Sequence, residues 1–138
     1  MRLAGLIALA LLQTSCATYP RHGIRPLRPL ELATAPYQEA VTASLTGTMM
    51  YESGCLLFRD DQTRAVLLPV WPTGSIFNGT AVIFHRPGKA DQPLFVGEEF
   101  VMEGRPVQWP ALAAFDYSPF AHQCAARPFL VSRVRPAN

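Results

Sequence analysis

Leu45-Thr-Gly-Thr-Met-Met-Tyr-Glu-Ser-Gly-Cys-Leu-Leu-Phe58 is the stretch that decides the fold class. Leu45, Gly47, Met49 and Tyr51 alternate with Thr46, Thr48, Met50 and Glu52, the two-residue period of a half-buried strand. Ser53-Gly54 breaks the alternation, and Cys55-Leu-Leu-Phe58 resumes it as a second apolar run. Downstream, Arg59-Asp-Asp-Gln-Thr63 is a polar turn in which Asp60 and Asp61 supply the turn chemistry. Residues 64–70 then read as a third strand, Trp71-Pro72-Thr73-Gly74 as a loop, 79–85 as a fourth strand and 86–93 as a turn. Leu94, Val96, Phe100 and Met102 line one face of an expected fifth strand, and Glu98 falls on that apolar face. The one expected short helix runs from Trp109 to Tyr117, with Pro110 in its first turn. Phe129–Val134 closes the chain as a strand. Short strands separated by turn residues predict a mainly β domain over residues 44–138, a small barrel or sandwich.

Composition agrees. The chain has 138 residues, enough for one ordinary domain and too few for a multidomain enzyme. Hydrophobic residues make up 49% and charged residues 16%, which excludes a mostly disordered chain. A net charge of +2 argues against a nucleic-acid partner, which would call for a clustered basic surface.

The first sixteen residues carry an address. Arg2 precedes ten uncharged, mostly aliphatic residues, Leu3–Leu12. As helix these would span about 15 Å, half a bilayer core, the length of a signal-peptide apolar region rather than a membrane span. Thr14-Ser15-Cys16 resembles the lipobox of bacterial lipoproteins, with Gln13 where that motif prefers Leu. The resemblance implies that residues 1–15 are a signal peptide and that the Cys16 thiol carries diacylglycerol, with palmitate-type chains anchoring the protein to a membrane of the cell envelope. Ala17 in place of Asp implies the periplasmic side of the outer membrane in a two-membrane bacterium. The alternative is cleavage after Ala17 and plain secretion. Residues 16–43, with prolines at 20, 26, 29 and 36 and arginines at 21, 25 and 28, read as an extended tether that could rest on anionic headgroups.

Five short elements carry a further resemblance: Gly54-Cys55-Leu56 after Leu45-x-Gly47, Trp71-Pro72-x-Gly74, Val96-Gly97-Glu98 leading to Gly104, and Cys124 ahead of Phe129-Leu-Val131. In this order they are similar to a group of small bacterial secreted proteins and lipoproteins whose fourth element is a Val-Gly-Asp strand. The resemblance implies an OB-like β-barrel with structural roles for the cysteines and the Trp-Pro loop. It implies no activity.

Catalytic constellations are wanting in the sequence. There is no Gly-x-Ser-x-Gly, no glycine-rich phosphate loop and no Cys-x-x-Cys. Glu98 and Glu99 are neighbours on an expected strand, so they would face opposite ways and make no carboxylate pair. His122 beside Cys124 is too little for a zinc site, and no metal or cofactor is expected. The expectation is a non-enzymatic envelope module with a structural or binding role and an envelope protein as partner. The alternative is a small-ligand or inhibitor barrel that uses Trp71, Glu98 and His85 around its mouth. With Cys16 assigned to lipid, Cys55 and Cys124 can pair in only one way, and beyond the inner membrane they would do so; two separate buried thiols are the alternative.

Overall fold

A computed structural model describes residues 23–112 and 116–138. The signal peptide, Cys16 and the first part of the tether, with Arg21 and His22, lie outside the described residues, as does the middle of the expected helix. Among the described residues the strands are β1 (Thr34–Ala35), β2 (Ala43–Glu52), β3 (Cys55–Asp60), β4 (Val66–Pro72), β5 (Ile76–Phe77), β6 (Ala81–Phe84), β7 (Gln92–Phe95), β8 (Glu99–Pro106) and β9 (Arg127–Pro136). The helix α1 is Ser118–Gln123, and a 3-10 turn occupies Trp109–Leu112.

Five of these strands form a ring. β2 pairs antiparallel with β3, β3 with β4, β8 with β9 and β2 with β8, while β4 runs parallel to β9. The ring order β2-β3-β4-β9-β8 with one parallel seam is the Greek-key arrangement of an OB-like barrel. Closure is uneven: the β3–β4 seam is short, with Phe58 opposite Leu67 and Arg59 opposite Val66. Alternation along each strand fills the interior with Met49, Phe58, Trp71, Phe100, Met102, Phe129 and Val131. Two close approaches need glycine. A Cβ on Gly47 would collide with the Arg59 carbonyl oxygen, and one on Gly104 with that of Leu130, at the irregularity where β8 shifts register against β9.

Between β4 and β8 the chain inserts a small antiparallel sheet, β5-β6-β7. Phe77, Val82, Phe84 and Leu94 from its inner face join the barrel core, where Tyr51 meets Phe77 edge-on at 5.0 Å and Trp71 meets Phe84 at 6.1 Å. The sheet therefore plugs the barrel.

Four expectations are corrected. The single fifth strand over 94–102 is two strands, because Gly97 (φ 89°) turns the chain between β7 and β8. Trp71 lies within strand β4, one residue before its end, instead of in a loop. The α-helix sits at 118–123, where Pro119 occupies the first turn, and only a 3-10 turn forms at 109–112. The segment expected to be tether up to residue 43 is packed from Arg25 onward: β1 runs parallel to the end of β4, Ala33 and Ala35 are buried, and the Ser132 hydroxyl donates to the Gln38 carbonyl at 2.7 Å.

Candidate functional site

Two places could hold a ligand by the logic of this fold, and they differ in what fills them. OB-type barrels take oligomeric ligands on the outer face of the second and third barrel strands, between the loops that follow strands one and four. Those strands are β3 and β4 here. Their outward residues, Cys55, Leu57, Leu68 and Val70, do not meet solvent as a face. They pack, together with Leu130, beneath Leu27, Ala33 and Ala35 from the N-terminal segment and Val107, Leu112 and Phe120 from the connection between β8 and β9. This second apolar cluster lies outside the barrel.

The bond between Cys55 and Cys124 crosses the same place. Cys55 opens β3 just after the β2–β3 turn, and Cys124 follows α1 in the β8–β9 connection; their Cα atoms are 5.8 Å apart. The disulfide thus ties together the two loops that would flank a ligand. Trp109 stacks on Tyr117 at 5.5 Å and continues the covering layer. At the N-terminal end Arg25 bonds both Glu31 carboxylate oxygens and also Asp116 at 3.1 Å, which fastens the segment to the residues preceding α1. The Arg25 hydrogen bonds hold the Glu31 carboxyl below its ordinary range, against the opposing effect of partial burial.

The second place was to be a mouth lined by Trp71, Glu98 and His85. The structure does not assemble it. Trp71 is fully buried against Phe84 in the barrel core, and its Nε1 has no hydrogen-bond partner. Glu98 is exposed in the β7–β8 turn rather than on an apolar face, since Gly97 swings it outward. It borders a small hollow with Phe95, Phe100 and Arg135, which neither Trp71 nor His85 lines. His85 follows β6; its Nδ1 lies 2.8 Å from Asp91 and its backbone N–H donates to Ser75 Oγ at 3.0 Å. Its ring covers Gly74, where any Cβ would strike it. The Trp-Pro-x-Gly element is thus a packing device: tryptophan in the core, glycine under a histidine ring.

An open groove of about 460 Å³ runs beside β2 and β3 and is lined by Met50, Tyr51, Glu52, Arg59, Arg64 and Val96 among others. Sequence reasoning singled out none of these as a site, and its charges are mixed. Nearby, Asp61 and Glu99 approach closely enough that their shared hydrogen bond raises the Glu99 carboxyl above its ordinary value. Among the described residues no three His, Cys, Asp or Glu side chains converge as a metal site would need, and no helix is long and apolar enough to cross a membrane.

The residues missed by sequence reasoning are those of the covering layer. Ala33 and Ala35 alternate with Thr34, a faint strand signal that the surrounding prolines mask. Compared with known proteins, the chain matches no family model, no curated protein and no solved structure.

Proposed function

We propose that the protein is a non-enzymatic module of the bacterial cell envelope, anchored by an acylated Cys16 and acting through a protein partner as a structural or binding accessory. The observation that carries this reading is the closed ligand face. A barrel that fills its oligomer-binding surface with its own chain and bridges the flanking loops with a disulfide has given up the ordinary use of that surface. The disulfide also favours an oxidising compartment, in keeping with export directed by residues 1–15 and the lipobox-like Thr14-Ser15-Cys16. The five-element resemblance to small secreted proteins and lipoproteins points the same way. In the buried Trp71 and the outward Glu98 the alternative, a ligand or inhibitor barrel built on Trp71, Glu98 and His85, has lost its shared pocket.

Mass spectrometry of the mature N-terminus tests the anchor: a diacylglyceryl Cys16 is expected, and an unmodified Thr18 as first residue refutes it. Affinity purification from the native envelope tests the role. A protein partner is expected; a reproducible glycan or small molecule without one overturns the assignment.

A further inference from the structure

The chain is fixed to the fold from Arg25 onward, through Glu31 and Asp116, and Leu27 is packed in the outer cluster. Only seven residues, 17–23, separate Cys16 from Ile24. At about 3.6 Å per residue, the eight steps from Cys16 to Ile24 span at most about 29 Å. A compact body of this size has a radius of gyration of about 13 Å, hence a diameter of about 34 Å. An anchor at Cys16 therefore cannot let the side opposite Ile24 rest on the membrane, and it holds the surface around Ile24 within about 29 Å of the bilayer.

The surface chemistry there suits a headgroup layer. Ile24 is 47% exposed and borders a shallow hollow with Tyr117, Ala121 and His122 of the α1 region. Leu30 is 40% exposed at the tip of a turn with φ 59°, an apolar side chain where glycine or asparagine is the usual occupant. Arg28 between them is exposed, and residues 17–30 include no acidic residue. Arg25 is paired with Glu31 and Asp116, and Arg28 is the exposed cation of this surface.

We infer that Ile24, Arg28 and Leu30, with the exposed side of α1, form a docking face for the anionic surface of the leaflet that holds Cys16. This rests on the acylation of Cys16 proposed above. The domain then lies against the membrane instead of standing off on a stalk, and the opposite side faces away for partners.

The test is amide hydrogen exchange on the mature acylated protein, free in detergent and reconstituted in phosphatidylethanolamine vesicles with and without phosphatidylglycerol. Added protection is expected at residues 24–30 and 117–123, stronger with phosphatidylglycerol. Arg28→Gln is expected to reduce the docked population about fivefold, the effect of one surface charge. Ile24→Asp removes the added protection while leaving acylation and the near-ultraviolet dichroism unchanged. Anchored protein with no protection there, or with protection elsewhere, overturns the docking face and leaves the lipoprotein reading standing. Protection of the same residues in detergent that grows with protein concentration assigns the face to a second copy and likewise overturns it. A mature protein without an acyl group refutes the lipoprotein reading, and the docking face with it.

Discussion

Replacing both Cys55 and Cys124 by alanine tests the covering layer at its strongest link. The bridge spans a sequence separation of 69. In the chain-entropy treatment a loop of that size restricts the unfolded chain by about 15 cal/mol/K, or about 4.4 kcal/mol at 25 °C. That is a large share of the roughly 5–15 kcal/mol that holds a small domain folded. Both cysteines are buried, so alanine leaves no polar group unsatisfied and only a small cavity. With a urea slope of about 1.2–2 kcal/mol/M, the midpoint should fall by about 2–4 M, and the slope should rise somewhat because the unbridged unfolded chain exposes more surface. In a Trp109→Phe background, which removes the tryptophan of the cover, fluorescence of Trp71 reports the barrel because it lies in the core. The cover should respond separately: amides of 118–124 should exchange by local opening before the barrel unfolds. A fluorescent apolar dye should then bind in the absence of urea, on the uncovered Leu57, Leu68 and Val70. A midpoint shift under about 0.5 M with those amides still protected would refute the reasoning, because the cover would then hold without its bolt.

Ser132→Ala removes the hydroxyl that joins Gln38 to β9 in a fully buried position, and is expected to cost about 1–3 kcal/mol by thermal or urea unfolding. Asp60 is buried, and its carboxyl is held below the ordinary value of 3.8, first by the Thr63 hydroxyl and then by the N–H groups of Thr63 and Gln62, against the effect of burial. Its folded value is depressed, so its stabilisation is complete above the unfolded value and is lost as pH falls through the folded one. The stability gap between wild type and Asp60→Asn should therefore be constant from neutral pH to about 5 and narrow below about 4. Trp71→Phe deletes an unpartnered buried donor along with part of a ring, so cavity cost and relief of the donor oppose each other; a loss within about 2 kcal/mol is expected in urea unfolding.

The barrel itself was legible in the sequence because its strands obey a period of two. Leu45 through Tyr51 alternates so regularly that the inward set could be named before any pairing was known, and Met49 is fully buried. The cysteine pair was legible through number, together with the expected export of the chain. The β7–β8 turn was harder: Val96-Gly97-Glu98 keeps the alternation of its flanks, so only the left-handed glycine distinguishes a turn from a continuous strand, and Glu98 was placed on the wrong side for that reason. The helix α1 was hidden for a comparable cause. Ser118-Pro-Phe-Ala-His-Gln123 has modest propensity, but it brings Phe120 onto the outer cluster, and burial outweighs intrinsic preference in so short an element.

The N-terminal segment shows why a site can be hidden while a fold is plain. Its prolines argue against a helix or a central strand, and a free tether is the expectation drawn from them. It does not follow, because a segment can be fixed by the surface it covers without having regular structure of its own. Here the outer face of β3 and β4 carries Leu57, Leu68 and Val70 where a solvated strand would carry polar residues. Seen from the strands alone, that double-sided apolarity announces a missing layer, and among the described residues two long stretches outside the barrel are free to supply one: residues 24–42, and 107–112 with 116–126. Both are used. The face on which related architectures hold oligomers has become interior, so a partner would have to meet this protein on another surface.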